Sequence, residues 1–423
     1  MNMKVFYCAF ESIFNPIFDS QIIIFLKKIS SRLESRNQGV NLVVFGSIGD
    51  IFRKGYWAKR RIIKKDLNNR VFFILKFPYL FRFPTFLRFA LFLNSVICFM
   101  VFLFIFRLKK SERAVCHCRT EIGSYILLNI KRKYYEKFKV ICDCRGLGSK
   151  EILYKSGIKN KDALSKGIDR IEKIAWVNSD FIFCVSQTFR RYILQESNCN
   201  VKKIMVVPCC VDVDKFKYDS KLRKEIMKEM EIKEDNFIVL YSGSLNEWQL
   251  PVRMIEIFKI IKGFIEESVF LVLTRDLRYA RELFLNSKIE KESYIIESIS
   301  YSSISKYLLV GDLGFLIREN NNVNKVAFPV KFPEYIRCGV PVLSSISSDV
   351  MNLIRDYGLG FELENFNNNE EVKKIAANIK KNMAYIKSDK YKNRISNIIR
   401  KKVSWDSYIN QIIKIYKNLL LNS

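Results

Sequence analysis

The sequence lacks internal repeats and low-complexity tracts, apart from three asparagines at 367–369 that we expect in a loop. It also lacks a recognisable signal-peptide cleavage site. The apolar start MKVFYCAF runs directly into Glu11, which predicts a first strand instead. The 11 cysteines are then expected to be free thiols in a reducing, intracellular setting. A hydrophobic content of 49 % excludes a disordered polymer.

Acidic residues are scarce, above all in the first half of the chain. The protein carries 72 Lys and Arg against 43 Asp and Glu, a net charge of +29. Residues 1–212 hold 38 basic and 16 acidic residues, whereas residues 213–423 hold 34 and 27. Between positions 51 and 110, 14 basic residues stand with a single acid, Asp66, and are interleaved with aromatic side chains. This mixture is typical of a protein that lies on anionic lipid headgroups.

Nucleic acid is the competing partner for a basic surface. However, no recognition helix, zinc finger or aromatic platform accompanies the basic residues, and the residues between them form long runs of Leu, Ile and Phe. We therefore expect an anionic membrane surface, and no nucleic acid, as the partner of this region.

The uncharged stretch at 89–106 has 18 residues and just reaches the length of a transmembrane helix. If it spanned a bilayer, it would separate Ser20 and Gln21 from His117 and Asp143, which otherwise belong to one alternating pattern. We expect a long helix that is partly in the core and partly facing the membrane, and a true span remains the alternative. The expected location is cytoplasmic, peripheral to the inner face of the plasma membrane.

Short apolar runs alternate with longer amphipathic segments along most of the chain, which is typical of parallel sheets covered by helices. The runs predict strands at 4–10, 40–46, 113–118, 138–144, 180–186 and 203–208, and again at 237–243, 269–275, 294–299, 312–317, 340–345 and 360–363. The prediction is an α/β protein with two tandem, doubly wound, Rossmann-like domains, 1–212 and 213–402. Ligands of such sheets bind beyond the carboxyl ends of the strands.

The loop after the first predicted strand offers Asn15, Ser20 and Gln21 as ligand-binding residues. A backbone turn and a helix start would meet a ligand there. Alternatively, Ser20 and Asp19 are ordinary helix N-caps.

Two later strands of the first half end in polar groups. His117, the only histidine, is followed by Arg119, and the next strand ends in Asp143 and Arg145. At such a strand end, the imidazole of His117 can position a sugar hydroxyl and the guanidinium of Arg119 can bind phosphate. The carboxylate of Asp143 beside the guanidinium of Arg145 can form an acceptor-binding or general-base pair. The alternatives are a buried, satisfied histidine and an ion pair that fixes the loop.

A metal site is not expected. Cys116, Cys118, Cys142 and Cys144 form two Cys-x-Cys pairs, but structural zinc sites prefer wider spacing in loops. We expect buried thiols. The D-x-D at 212–214 lies at the domain joint, and we expect it to be structural.

The second half has one weak and one strong candidate segment. The weak one places Gly243 and Ser244 after a strand, where backbone amides can cradle a diphosphate. The strong one is DLGFLIRENNNVNKVAFPVKFPEYIRCGVPVLSS.

In the strong segment, a strand ends at Arg318, a short helix contains Lys331 and Glu334, and a further strand ends at Ser344. Glu334 can accept hydrogen bonds from a ribose diol, and Arg318 and Lys331 can neutralise a diphosphate leaving group. These residues are predicted to bind the donor.

These motifs resemble the retaining glycosyltransferases of family four, which have the two-domain GT-B fold. The likeness rests on VCHCR, DCRG, VSQTFRRYI, KIMVVPCCVDVDKF, YSGSLNEW and, most specifically, PVKFPEYIRCGVPVL, in this order. The closing WDSYINQIIKIYKNLL is similar to the terminal helix that in this fold returns to the first domain, which implies a helix at 403–423.

The resemblance implies that Glu334 binds the donor ribose and that His117 lies near the transferred sugar. Two departures are evident. Val326 stands where many members have a second glutamate, and Ser244 and Gln249 stand where many have Arg and Lys. The resemblance suggests a branch of the family that builds polysaccharides, whose members also lack the second glutamate and the Arg and Lys.

The expected function is therefore transfer of a sugar from a nucleotide diphosphate sugar to a lipid-linked saccharide. We expect the reaction to retain the configuration of the sugar and to need no cofactor or metal. We expect it to belong to surface polysaccharide biosynthesis, such as that of lipopolysaccharide or capsule. The active site is expected in the cleft between the two domains. Its catalytic residues are expected to be His117, Asp143 and Arg145, and the acceptor is expected to bind Asn15, Ser20, Gln21 and Arg119. The alternatives are a nucleotide-sugar epimerase, which uses more carboxylates and histidines than this chain offers, and a non-catalytic paralogue that binds membrane and a partner enzyme.

Overall fold

A computed structural model describes residues 4–33, 39–78, 84–107, 113–134, 138–154, 161–346 and 348–421. The chain divides into two compact units. Unit 1 comprises Met1–Pro208 and Trp405–Ser423, and unit 2 comprises Cys209–Ser404.

Unit 1 is built on a seven-stranded parallel sheet with the strand order β3-β2-β1-β4-β5-β6-β7. Its strands are β1 (Lys4–Ala9), β2 (Gly39–Gly46), β3 (Val71–Leu75), β4 (Ala114–Arg119), β5 (Phe138–Cys144), β6 (Phe181–Cys184) and β7 (Ile204–Val206). The central strands are apolar on both faces because helices cover both sides of the sheet.

The first segment of unit 1, which ends at Pro208, contains eight of the described α-helices. They are α1 (Ile24–Leu33), α2 (Ile48–Ile51), α3 (Tyr56–Asp66), α4 (Pro84–Met100), α5 (Glu121–Tyr134), α6 (Gly148–Glu151), α7 (Lys161–Asn178) and α8 (Gln187–Glu196). A π-helical turn, Phe18–Ile23, leads into α1, and a second one, Val101–Ile105, continues α4. Local sequence sets some of these boundaries. Ser186, for example, caps α8 by accepting a hydrogen bond from the Phe189 backbone N–H.

Unit 2 contains a six-stranded parallel sheet in the order β10-β9-β8-β11-β12-β13. The strands are β8 (Phe237–Ser242), β9 (Ser268–Leu273), β10 (Tyr294–Glu297), β11 (Leu313–Leu316), β12 (Val342–Ser344) and β13 (Gly360–Glu362). Its helices are α9 (Ser220–Glu229), α10 (Pro251–Phe264), α11 (Leu277–Asn286), α12 (Ile304–Leu308), α13 (Asn322–Val326), α14 (Lys331–Arg337), α15 (Asp349–Tyr357), α16 (Asn369–Lys381), α17 (Met383–Lys387) and α18 (Asp389–Lys402).

The last helix, α19 (Trp405–Leu421), belongs to unit 1 and packs on α1 and β4. Trp405 is buried against the ring of Phe25 at a centroid distance of 4.9 Å, and Asp406 accepts a hydrogen bond from Arg32 at 2.9 Å. The C-terminal segment therefore completes the core of unit 1.

The α/β fold class with two doubly wound parallel sheets is confirmed. One strand, β3 at the edge of the first sheet, was not predicted. Its side chains are mostly half-buried, because an edge strand has only one neighbour. Its sequence also lies within the basic and aromatic stretch at 51–110, whose apolar residues on either side obscure it, although Asn68 and Asn69 form a turn just before it.

The predicted long helix at 89–106 corresponds to α4 and its π-helical continuation. One side of α4 is anchored in unit 1, since Ala90, Leu91 and Cys98 are buried and the buried Asn94 side chain bonds to both backbone groups of Phe77. Among the described residues, one helix, Phe86–Ile105, has the length and apolar composition of a membrane span, and a third of it is buried within the protein. Core helices of soluble proteins can have the same length and apolar composition.

Candidate active site

Each sheet has one point at which the strand order reverses. It lies between β1 and β4 in unit 1, and between β8 and β11 in unit 2. The connections from such neighbouring strands run to opposite faces, so that a crevice opens at their carboxyl ends. The residues that follow these four strands are therefore the first candidates for ligand contacts.

In unit 2, Gly243 directly follows β8 and has a φ of +135°, a conformation that favours glycine. A Cβ at this position would lie 2.6 Å from the Nζ atom of Lys331. The missing side chain thus gives the Lys331 amine room against the turn after β8. The structure brings these two predicted donor-binding residues together.

The amine of Lys331 is in an unusual environment. It lies 4.1 Å from the centroid of the Tyr241 ring, is buried, and has no hydrogen-bond partner among the described residues. Burial, reinforced by the nearby Arg318, lowers its pKa well below the usual value, although Glu334 acts in the opposite direction. An anionic group beside this amine would favour its charged form and raise the pKa again.

Two tyrosines fix the turn that ends β8. The hydroxyl of Tyr335 accepts a hydrogen bond from the Ser242 backbone N–H at 2.7 Å, and the hydroxyl of Tyr241 donates to the carbonyl oxygen of Ser244. The Ser244 hydroxyl accepts from the side chain of Asn246 at 3.0 Å. Ser244 therefore contributes to the shape of the turn, and neither tyrosine was identified from the sequence.

Arg318 follows β11 and is held by two other segments. The Ser345 hydroxyl accepts from the Arg318 backbone N–H at 2.8 Å and donates to its carbonyl oxygen at 2.7 Å. With its amide oriented to suit its neighbours, Gln249 accepts from the Arg318 guanidinium at 3.3 Å and from the Trp248 indole at 3.2 Å. Gln249, where many members of the similar family have lysine, thus anchors a cation here.

Ser344 and Ser345 differ in their surroundings. Ser344 is fully buried at the end of β12, and its hydroxyl accepts a hydrogen bond from the backbone N–H of Ile346. The neighbouring Ser345 is the serine that contacts Arg318. Strand alternation places consecutive side chains on opposite faces, so the predicted donor contact of Ser344 falls on a residue engaged in a turn.

Glu334 lies one turn into α14, on the helix that begins at Lys331. Burial raises the pKa of its carboxyl group to about 8, although Lys215 and Lys331 act against that shift. At neutral pH, a carboxyl group with this pKa is mostly protonated and can both donate and accept a hydrogen bond. This suits the vicinal hydroxyls of a ribose.

In unit 1, Asp143 is the centre of a buried charge cluster at the carboxyl edge of the sheet. Arg145 contacts both carboxylate oxygens, at 2.8 and 2.9 Å, and His117 and Arg119 lie 3.4 and 4.0 Å away. The hydroxyl of Tyr7 completes the group at 3.5 Å. Burial raises the pKa of Asp143, but Arg145, His117 and Arg119 together hold it well below its ordinary value.

His117 is 1 % exposed and is surrounded by aromatic rings. Its Nδ1 atom lies 2.6 Å from the Tyr416 hydroxyl, and its Nε2 atom faces Asp143. Burial lowers the pKa of the ring, although Asp143 acts against it, so the imidazole is neutral at pH 7. In this arrangement His117 orients Asp143, and its surroundings match the alternative of a buried, satisfied histidine.

Arg119, at the end of β4, is also buried. Its Nε–H donates to a carboxylate oxygen of Glu11 at 2.9 Å. Glu11 follows β1 and was not predicted as a site residue, yet it lies on the other side of the reversal point from Arg119. The signal available in the sequence was its position after the first strand.

The three remaining predicted acceptor residues lie in the loop after β1 and in the π-helical turn. Asn15 is half-buried, and its side chain accepts from the Ile17 backbone N–H at 3.1 Å. Ser20 and Gln21 are buried within the turn. Ser20 and Asp19 are not N-caps: the turn has no side-chain cap, and Asp19 pairs with Lys59 at 2.8 Å.

The eleven cysteines are all free and buried. Cys142 and Cys144 lie side by side, with sulfur atoms 3.5 Å apart. Within the described ranges, no three His, Cys, Asp or Glu side chains form a group able to hold a metal ion.

Comparisons with known proteins agree with this architecture. The family described as glycosyl transferases group 1 matches residues 223–418, which lie mostly in unit 2. No curated protein matches the chain by sequence.

Solved structures share the fold across nearly the whole chain. Sucrose-phosphate synthase from Thermosynechococcus elongatus has a TM-score of 0.72 and 13 % identity, with all of both chains covered. HepE from Anabaena, solved with UDP-glucose, has a TM-score of 0.70 and 12 % identity, with 99 % of this chain and 100 % of its own covered. WaaG, a glycosyltransferase involved in lipopolysaccharide biosynthesis, has a TM-score of 0.62 and 11 % identity, with 97 and 99 % covered.

The two sheets and the solved structures establish the GT-B fold, and residues 223–418 match the family described as glycosyl transferases group 1. At such low identities the solved structures establish the fold alone.

Proposed function

We propose that the protein transfers a sugar from a nucleotide diphosphate sugar, bound mainly by unit 2, to a saccharide acceptor bound by unit 1. The observation that carries the proposal is the Lys331 amine. It is buried beside Gly243 and Tyr241, at the carboxyl edge of the unit 2 sheet, without a hydrogen-bond partner in the described part of the chain. A diphosphate is the type of ligand that such an amine stabilises. HepE, which has the same fold, was solved with UDP-glucose.

The proposed chemistry needs no metal ion, because protein groups supply the positive charge. Lys331 and Arg318 neutralise the diphosphate as it leaves. The backbone N–H of Gly243, predicted to cradle the diphosphate, instead donates to the carbonyl oxygen of Leu273 at 2.9 Å. Glu334 hydrogen-bonds the ribose hydroxyls. Concentrating cations where negative charge develops is usually the largest single contribution to such a reaction.

The acceptor side uses the charge cluster of unit 1. Arg145, which is partly exposed, donates a hydrogen bond to the incoming sugar, and the fully buried Asp143 holds Arg145 and His117 in position. Retention of configuration and a place in surface polysaccharide biosynthesis are further parts of the proposal, supported by the motif resemblance.

A lipid-linked acceptor is supported by the surface of unit 1. Of the 23 large apolar side chains that are exposed among the described residues, 12 lie between positions 48 and 105. They include Phe52, which is 83 % exposed, and Trp57. Basic residues flank them and only Asp66 is acidic between 51 and 110. Such a surface binds anionic headgroups while its apolar groups enter the interface, as a cytoplasmic, peripheral membrane enzyme requires.

Donor hydrolysis tests the proposal. Glycosyltransferases without an acceptor slowly transfer the sugar to water, so the purified protein should release free sugar from at least one member of a panel of UDP-, GDP-, ADP- and dTDP-sugars. Arg318→Ala should reduce this release at least 10-fold, since an interaction with a charged group contributes about 1.5–3 kcal/mol. The matched control is Arg400→Ala, an exposed arginine of α18.

Each outcome is informative. Release that Arg318→Ala removes and Arg400→Ala preserves supports the proposal. A donor that raises the thermal stability without being hydrolysed indicates the non-catalytic alternative, and a donor converted to a different nucleotide sugar indicates an epimerase. Equal activity in the two variants would place the donor elsewhere.

A further inference from the structure

A large groove lies on unit 1, away from the charge cluster around Asp143. It has a volume of about 1010 Å³ and runs between α4, α5 and α7. Its walls are mainly apolar and include Leu91, Phe99, Ile130 and Ile171. A groove of this size accommodates a ligand with many carbon atoms, and the lining favours an aliphatic chain.

Four cations stand at the groove: Arg88 on α4, Arg132 on α5, and Lys166 and Arg170 on α7. All four are exposed, and none forms an ion pair with a residue that the structure describes. No acidic residue is among the lining residues. Four uncompensated cations beside an apolar channel are complementary to a molecule that has an anionic head and an apolar tail.

The groove is continuous with the exposed side of α4. Phe92, Val96 and Met100 line the groove and are also 58, 42 and 46 % exposed. Phe89 and Phe104 extend the same helix surface with further exposed rings. A hydrocarbon chain can therefore pass from an apolar phase beside α4 into the groove without crossing a polar rim.

We propose that this groove binds a single anionic phospholipid taken from the bilayer on which the exposed side of α4 lies. The acyl chain occupies the apolar channel, and the phosphate pairs with cations of the set Arg88, Arg132, Lys166 and Arg170. The lipid is a bound partner in this proposal and not the sugar acceptor. The proposal relies on the membrane association above for the source of the lipid, but it does not depend on sugar transfer.

Binding of a soluble lipid tests the groove itself. Dioctanoyl-phosphatidylglycerol, kept below its critical micelle concentration, should bind at one molecule per chain in native mass spectrometry and equilibrium titration. Gly167 lines the groove, and a Cβ added there meets no atom within 4 Å. Gly167→Phe should therefore narrow the groove without a clash and weaken binding at least 10-fold. Gly263→Phe on α10, where the space is equally open, is the control.

Vesicle flotation tests the cations. Replacing Arg88, Arg132, Lys166 and Arg170 by Gln should reduce binding to vesicles of phosphatidylglycerol and phosphatidylcholine at least 5-fold. The control replaces four exposed lysines of unit 2, which lowers the net charge equally: Lys221, Lys228, Lys374 and Lys380. Wild-type thermal stability in each variant shows that folding is intact, and donor hydrolysis is measured separately, so that failure of one proposal is not mistaken for failure of the other.

Several results would overturn the proposal. These are a soluble lipid that does not bind, equal binding by Gly167→Phe and Gly263→Phe, and full displacement by inorganic phosphate, which would indicate an anion site without a chain. Equal flotation of the two fourfold variants would show that only net charge matters. A dimer in sedimentation that Gly167→Phe dissociates would show that a second copy of the chain covers the groove.

Discussion

The Nζ atom of Lys331 lies 4.1 Å from the centroid of the Tyr241 ring, over its face. A cation gains from the negative face of an aromatic ring, but this replaces only part of its lost hydration. The amine is therefore held at a cost in a place where an anion would relieve it. This relationship links the fold to the proposed chemistry, because Tyr241 is the penultimate residue of β8 and Lys331 begins α14.

Removing the amine should separate stability from ligand binding. Lys331→Met keeps the apolar stem but no longer buries an ammonium group, so we expect the ligand-free protein to gain about 1 kcal/mol. The affinity for the donor should fall about 10- to 100-fold, because a hydrogen bond to a charged group contributes about 1.5–3 kcal/mol. Thermal unfolding with and without the nucleotide sugar measures both effects. Lys306→Met, an exposed lysine of α12, should change neither.

The turn at Gly243 should not tolerate a side chain. In Gly243→Ala, the methyl group would meet the Lys331 amine and the residue would keep a positive φ, at a cost of about 1–3 kcal/mol. We expect lower thermal stability and a loss of the stabilisation by donor. Gly263→Ala, in the last turn of α10, should instead stabilise the protein, by up to about 1 kcal/mol. A Gly243→Ala variant with unchanged donor affinity would contradict the predicted role of this turn.

Glu334 should contribute to the pH dependence of stability. Its pKa rises on folding from 4.5 to about 8, so between these values the folded protein holds a proton that the unfolded chain releases. This contribution is complete below pH 4.5 and is lost as the pH rises through 8. In Glu334→Gln, the fall in stability between pH 5 and 8 should be shallower, by up to about 1.4 kcal/mol per pH unit. Urea unfolding across this range measures the slope, and the exposed Glu225→Gln should reproduce that of the wild type.

Asp143 should be essential to the folding of unit 1. Asp143→Asn leaves Arg145 and Arg119 buried without their shared carboxylate, and breaking a buried pair in this way costs about 3–5 kcal/mol. Denaturant unfolding should show this loss, while the exposed Asp162→Asn stays within about 0.5 kcal/mol. A loss below 1 kcal/mol in Asp143→Asn would mean that the cations reach water and do not depend on Asp143. Such a variant would then serve to test catalysis directly.

The strand pattern was predictable because the central strands of both sheets are buried on both faces. A strand buried on both faces is mostly apolar, and β1, β4 and β8 each contain an apolar run, although in β4 it is interrupted by His117 and Arg119. β3 escaped prediction because an edge strand is only partly buried and its residues merge with the surrounding basic and aromatic sequence.

The site was predictable only as a set of strand ends. Gly243, Arg318 and Lys331 were identifiable because polar or glycine residues follow apolar runs at the edge where ligands bind. Their contacts were not. The Glu11 partner of Arg119 lies 108 residues away, and the choice between Ser344 and Ser345 depends on one step of strand alternation.

The amino-acid pattern alone determined the α/β class, the tandem arrangement of two parallel sheets and the basic, apolar character of residues 51–110. These properties depend on local periodicity and composition, which each segment carries by itself. Only the tertiary structure decided that Lys331 lies beside Gly243, that His117 is enclosed by Tyr416 and Asp143, and that α4, α5 and α7 leave a groove. These contacts join segments far apart in the chain, and burial, which sets the pKa values of Lys331, Glu334 and Asp143, exists only once those segments have packed.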